Sequence, residues 1–280
     1  MDSSNVGALI VASPFVPLIG IVAASMTVMP YRTAALGPRI LFVMFATVIG
    51  AMIASFKGVS PITINAGFLG ACILISLWPL YYVMRARRAR VFEGAVELAP
   101  PFTGRWRSSA GGPLPELNHH ADDPAQRYAY DFYVPNAIGW PGTPWARSNE
   151  AFLAYGKDVL APADGTVVRV VDGQPEGNPP RSSPEASKKP AGNHVVIQID
   201  HAYVVLAHLK TGSVHVKSGQ RVRRGDRIAQ CGNSGQSTMP HVHIHIQDKP
   251  HVGRGKGVPL VFRDACGRVV APITGEFICG

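Results

Sequence analysis

Three histidines alternate with aliphatic residues in Pro240-His241-Val242-His243-Ile244-His245-Ile246-Gln247. Residues two apart on a strand point to the same face and lie roughly 6.5 to 7 Å apart at Cα. As a strand, this segment puts His241, His243 and His245 on one face and Val242, Ile244 and Ile246 on the other. One metal ion, or a metal and its substrate, can then engage two imidazoles. A polar face turned to water would mix in Lys, Thr or Glu, and none is present. A catalytic zinc site needs three protein ligands and an open position for water, so other donors must come from distant sequence. A second cluster offers them: Asn118-His119-His120, then Gln126-Arg127-Tyr128-Ala129-Tyr130-Asp131-Phe132. Extended, the latter places Tyr128, Tyr130 and Phe132 on one face, and Asp131 projects from the other, where a metal can meet it.

The elements that must position these groups are short runs of β-branched residues broken by Gly, Pro, Asn and Asp. Thr166–Val171, His194–Ile199, Ala202–Leu209, His241–Ile246 and Val258–Phe262 are each expected to be strands. Short strands with turn signals between them imply a mainly β fold, an antiparallel sheet or sandwich. The segment 172–193, DGQPEGNPPRSSPEASKKPAGN, holds almost nothing to bury and is expected to be a long exposed loop. Gly232-Asn233-Ser234-Gly235 lacks the final glycine of a nucleophile elbow and reads as a turn. Cys72, Cys231, Cys266 and Cys279 show no CxxC spacing, which argues against a cysteine zinc site. Cys266 and Cys279 are either free thiols or, in an oxidising compartment, a disulfide. His194, His201, His215 and His251 are expected at the surface; His245 either supports a ligand or faces water.

The chain has 280 residues, a net charge of +9 and 16% charged residues, against about 25% in an ordinary soluble domain. The deficit is local, because residues 1–84 carry only Asp2, Arg32, Arg39 and Lys57. Three uncharged apolar stretches, 7–29, 40–56 and 66–84, are each long enough, or nearly so, to cross a hydrocarbon core as a helix. A cleavable signal peptide needs a basic n-region, and the only charge before Arg32 is Asp2. The expected organisation is therefore a membrane region, 1–90, with three transmembrane helices and a juxtamembrane run of Arg85, Arg87, Arg88 and Arg90, followed by a water-soluble domain, 91–280. That domain is nearly neutral, so it lacks the basic stripe that nucleic-acid binding requires.

A series of blocks along the soluble part resembles the M23 (lysostaphin-type, or LytM-like) metallopeptidases. The blocks are Val159-Leu160-Ala161-Pro162-Ala163-Asp164-Gly165-Thr166, Gly192-Asn193-His194-Val195-Val196-Ile197, Ala207-His208-Leu209, Ser218 to Asp226, Cys231 to Gly235, and Pro240-His241-Val242-His243. The resemblance runs from about residue 95 to 250. It implies one zinc ion per domain, with Asp131 and His243 as ligands. The family's usual first histidine position is occupied by Arg127, and the sequence instead resembles a branch in which Asn118-x-His120 precedes an insertion. That implies His120 as the first ligand, with His119 as the alternative. The resemblance further implies that His208 and His241 act in the reaction, His241 as base and His208 as its partner in proton transfer and transition-state stabilisation.

The activity so implied is a membrane-tethered zinc endopeptidase acting on the cross-linking peptides of bacterial peptidoglycan. A catalytically silent member that binds wall peptide or regulates a hydrolase is the alternative from another class, and a metallopeptidase with a non-wall substrate is a third. Localisation carries a conflict. Peptidoglycan lies outside the cytoplasmic membrane, whereas the arginine run after the third span points the soluble domain inward by the positive-inside rule. Substrate access is the harder requirement, so the catalytic domain is expected outside.

Overall fold

The computed structural model describes residues 81–90, 93–137, 139–143 and 145–280. The chain divides into two compact units between Arg85 and Ala86. The expected spans 7–29 and 40–56, and all of 66–84 but its last residues, lie outside the described residues. Residues 81–88 are helical, and no helix among the described residues is long and apolar enough to cross a membrane.

The second unit is built from fourteen strands: β1 (Val96–Leu98), β2 (Arg105–Ala110), β3 (Tyr130–Tyr133), β4 (Asp158–Leu160), β5 (Gly165–Val171), β6 (Asn193–Ile199), β7 (Ala202–Leu209), β8 (Arg221–Val222), β9 (Arg227–Gln230), β10 (Val242–Gln247), β11 (Gly257–Val258), β12 (Leu260–Arg263), β13 (Val269–Val270) and β14 (Phe277–Cys279). Nine of them form one antiparallel sheet in the order β14-β2-β3-β10-β7-β6-β5-β8, with β11 paired to the end of β10. Two small sheets, β4-β9 and β1-β12-β13, complete the unit. The single run expected at Val258–Phe262 is two strands, because Pro259 has no N–H to give a ladder and separates β11 from β12. Nor is every pairing antiparallel, since β1 runs parallel to β12.

One face of the large sheet carries the core. Val195 and Ile197 of β6, Val204 and Leu206 of β7, and Val242, Ile244 and Ile246 of β10 join Val159 of β4, Ile228 of β9, Leu98 of β1 and Phe262 of β12 in one buried cluster. On β3, Tyr130 and Phe132 stack in parallel and meet Phe262 edge-on, while Phe132 also meets Phe102. Edge-to-face packing of this kind adds to the burial of the rings. It also fixes which way β3 faces: with Tyr130 and Phe132 held in the core, Asp131 must emerge on the opposite face. That face carries Val196, Val205 and Ala207, packed with Ala191 and Val252 from two loops.

The segment 172–193 is irregular and largely exposed, as its composition suggests, yet it is held in place. Polar groups pin it where apolar ones are lacking. The Asp172 carboxylate accepts from the backbone N–H groups of Gly212 (2.8 Å) and Val214 (3.2 Å). Glu176 accepts from the Asn233 N–H and the Tyr155 hydroxyl, both at 2.8 Å. The far end docks by close backbone approach: Gly192 has φ +57°, and a Cβ there would lie 2.4 Å from the Ser234 carbonyl carbon. Cys231, Cys266 and Cys279 are free thiols. Replacing Glu176 by alanine leaves the Asn233 N–H and the Tyr155 hydroxyl without their acceptor, a loss of about 1–3 kcal/mol. Glu176→Ala is therefore expected to speed trypsin cleavage at Arg181 and Lys188 by about tenfold or more, read by time-resolved proteolysis; an unchanged rate means that the carboxylate does not anchor the segment.

Candidate metal centre

Register brings the two sequence clusters together. On neighbouring strands β3 and β10, Asp131 lies directly opposite His243, and both side chains are almost wholly buried. Asp131 Oδ1 stands 2.8 Å from His243 Nδ1 and 3.6 Å from His241 Nε2. Its other oxygen, Oδ2, lies 2.9 Å from His120 Nε2 and 3.6 Å from His119 Nε2. Ligand atoms of His119, His120 and Asp131 all fall within 4.8 Å of one another. His120 is the better placed of the two adjacent histidines, since its ring packs edge-on against His243 at 4.7 Å, whereas the His119 side chain is 40% exposed. The turn that presents His120 is pinned by fully buried Asn118. Its amide donates to Gly112 O (2.8 Å) and Ala129 O (3.1 Å), and its Oδ1 accepts from the His120 N–H.

A hydrogen-bond chain along β10 sets the protonation of His243. The Gln247 amide nitrogen donates to Lys249 O (2.6 Å) and His251 O (2.7 Å), and Gly253 N–H donates to Gln247 Oε1 (3.3 Å). Oε1 therefore faces His245 and accepts from His245 Nε2–H at 3.0 Å. His245 Nδ1 is left as an acceptor and takes Nε2–H of His243 at 2.8 Å. His243 Nδ1 then carries no hydrogen, yet it faces a carboxylate oxygen at 2.8 Å. Two lone pairs at that distance require a cation between or beside them. This is the structural reason to place a metal here, and His120, Asp131 and His243 are the residues that would hold it. Two imidazole nitrogens and a carboxylate, with a cavity of about 210 Å³ beside them, match the donor set of a catalytic zinc site.

Electrostatics agree with this. Burial pushes the Asp131 carboxyl up, but His120, His241 and His243 outweigh it and hold it well below the ordinary carboxylate range. Burial depresses His243 to about 3, against the opposing pull of Asp131, and His245 to about 4. Both rings are thus neutral, as the relay requires.

His208 and His241 flank the centre with ring centroids 4.8 Å apart. His208 Nδ1 donates to Ser234 O and His241 Nδ1 donates to Met239 O, each at 2.8 Å. In its neutral form each ring consequently holds its proton on Nδ1 and leaves Nε2 bare. His208, the residue before the last of β7, lies in the left-handed region, φ 60°, an uncommon conformation for a non-glycine residue and one found at functional sites. Burial first, then His241 and His243, push its pKa well below the usual imidazole value, so it is uncharged at neutral pH.

Two buried residues escape a reading that stops at the ligand motif. Gln247 continues the period-two pattern of His243 and His245 and is fully buried; that alternation was the available signal. His194, expected at the surface, is buried as well, with its Nδ1 on Gly192 O at 2.8 Å. His201, His215 and His251 are exposed.

Residues 149–254 match the model of peptidase family M23, a span that includes His208, His241 and His243 but begins after His120 and Asp131. The chain is 39% identical over 100 residues, 35% of its length, to an "Uncharacterized metalloprotease" of Haemophilus influenzae, covering 18% of that protein. It is 45% identical over 56 residues to the peptidoglycan DD-endopeptidase ShyA of Vibrio cholerae, covering 20% of this chain and 13% of that one. The chain thus spans under a fifth of these relatives. The catalytic domain of a prophage-encoded M23 protein from Enterococcus faecalis aligns over 57% of this chain and 93% of that one, at 21% identity and a TM-score of 0.37.

Losing a group that orients a metal ligand costs about 10–100-fold in metal affinity or activity. Gln247→Leu is accordingly expected to weaken zinc binding by about that factor, measured by competition with a chelating dye. In a His245→Glu background, where a carboxylate accepts directly from His243 Nε2–H, Gln247→Leu should have little further effect. Additive losses would rule out the relay.

Proposed function

We propose that the chain is a zinc-dependent endopeptidase that hydrolyses cross-linking peptide bonds of bacterial peptidoglycan. The observation that carries this reading is the pairing of a bare His243 Nδ1 with the Asp131 carboxylate beside two further imidazoles whose Nε2 atoms are also bare. The M23 match over residues 149–254 and the peptidoglycan endopeptidase among the similar proteins support the substrate class. Bound zinc supplies a Lewis acid for the scissile carbonyl and brings the pKa of a coordinated water toward neutrality.

The chain's own groups do the rest. His120, Asp131 and His243 hold the ion. His241, with Nδ1–H fixed on Met239 O, presents Nε2 within 3.6 Å of the Asp131 carboxylate and accepts a proton there from the attacking water. His208, anchored on Ser234 O, carries the second Nε2, which receives the proton that His241 took from the water, stabilises the oxyanion while charged and passes that proton to the leaving amine. Tying both Nδ1 atoms to backbone carbonyls sets the tautomers before substrate arrives, so that no ring has to reorient during proton transfer.

Asp131→Ala and His243→Ala are expected to abolish zinc binding in the purified chain, measured by metal analysis. His241→Ala and His208→Ala are expected to retain zinc while cleavage of cross-linked muropeptides falls by about 10²–10⁴-fold. A zinc-free wild-type chain would favour the silent binding module.

The apolar stretches of residues 1–84 support attachment to the bacterial cytoplasmic membrane as a multi-pass protein, with the catalytic domain on the outer side, where cross-linked wall is found. The Arg85–Arg90 run favours the opposite side by the positive-inside rule. A reporter fused after Gly280 is expected to be active only in its extracytoplasmic form; activity of a cytoplasmic reporter would remove mature wall as the substrate.

A further inference from the structure

The face of the large sheet that bears the metal centre continues past it to a second cavity of about 350 Å³. His194 of β6 and Arg169 of β5 contribute from the sheet, while residues 188–192 and 251–254 supply the flanking loops. Arg169, Lys188, Lys189 and Arg254 put four cationic side chains around it, and no carboxylate lines it. None of the four is paired with a carboxylate among the described residues. In a nearly neutral domain that concentration of one sign marks a place for an anion.

A second observation narrows the ligand. His194 Nδ1 donates to Gly192 O at 2.8 Å, while its Nε2 is buried and has no hydrogen-bond partner. Buried polar atoms are nearly always satisfied, and an exception calls for an explanation. Burial, with a smaller push from Arg169 and against the Gly192 hydrogen bond, lowers the His194 pKa. The orphan Nε2 is then a lone pair that wants an N–H or O–H. A ligand that suits both features carries an anionic group beside a hydrogen-bond donor, as a peptide with a free carboxylate does.

Position ties this cavity to the reaction. Pro190, Ala191 and Val252 line both it and the cavity at the metal centre, so the two share a wall. We propose, on the endopeptidase reading, that this basic cavity is a substrate subsite: it binds a carboxylate of an extended acidic peptide whose neighbouring N–H reaches His194. Strands lie about 4.8 Å apart, so β6 and β5 are about 10 to 14 Å from β10. At about 3.3 Å per extended residue, the carboxylate sits three or four residues from the bond that is cut.

The test compares fluorescently labelled muropeptide dimers in native form with the same dimers after their carboxylates are converted to carboxamides. Binding to the full chain is read by anisotropy and cleavage by chromatography. The native dimer is expected to bind at least tenfold more tightly than the amidated one. The double variant Arg169→Gln, Arg254→Gln, which leaves Lys188 and Lys189 in place, should weaken binding of the native dimer by about fivefold or more and that of the amidated dimer far less, so that the preference shrinks. If the double variant weakens both dimers equally, or if the wild type does not distinguish them, the subsite is overturned. Inorganic phosphate that displaces the native dimer at equal concentration would overturn the peptide assignment. Carboxylate-dependent binding without cleavage removes the hydrolase reading and keeps the subsite; cleavage without carboxylate dependence does the reverse.

Discussion

The contact between Asp131 and His243 organises the functional face of this domain. Burying a carboxylate is costly unless it is paired, and here imidazoles surround it, of which His243 is kept neutral by burial. The fold meets both demands through the β3–β10 register, which sets the two side chains opposite each other, and through the chain from His243 to Gln247, which keeps the proton on the far side of the ligand ring. Shifting β10 by one residue would turn the histidines into the aliphatic core and bring Ile244 to the carboxylate. Alternation of Val242, Ile244 and Ile246 with the histidines makes that slip prohibitive, so the packing that stabilises the sheet also holds the site.

Backbone carbonyls perform a parallel task for the other two histidines. Ser234 O and Met239 O each hold one Nδ1–H, and both carbonyls come from the irregular segment between β9 and β10. Ser234 is held in turn: its hydroxyl donates to Leu209 O and accepts from the Asn193 N–H. The segment that composition marks as a simple turn is thus a scaffold for His208, the left-handed residue that precedes the end of β7.

Much of this was legible in the residues, for a definite physical reason. Strands β5, β6, β7 and β10 have strong β-branched runs, and the period of two reports which side chains share a face. Asp131 could be aimed correctly because Tyr128, Tyr130 and Phe132 name the core side of their segment. What could not be read was set by contacts distant in sequence. The parallel pairing of β1 with β12 joins segments more than 160 residues apart. The pinned course of 172–193 depends on carboxylates meeting backbone N–H groups from Gly212, Val214 and Asn233, which no local composition announces. His194 is buried although nothing in its local sequence marks it as an inward residue. Between His119 and His120 the sequence offered two adjacent imidazoles, and the turn held by Asn118 sets His120 against His243 while leaving His119 partly exposed.

The docking of Gly192 against Ser234 has a further consequence. Ala191 O accepts the backbone N–H of His208, Ser234 O holds its ring, and Gly192 and Ser234 touch. The groove wall and the histidine it shelters are therefore one mechanical piece, and the wall cannot swing wide to admit a bulky guest without dragging His208 out of place. On the endopeptidase reading, such a slit takes slender, unfolded strands and turns away compact proteins.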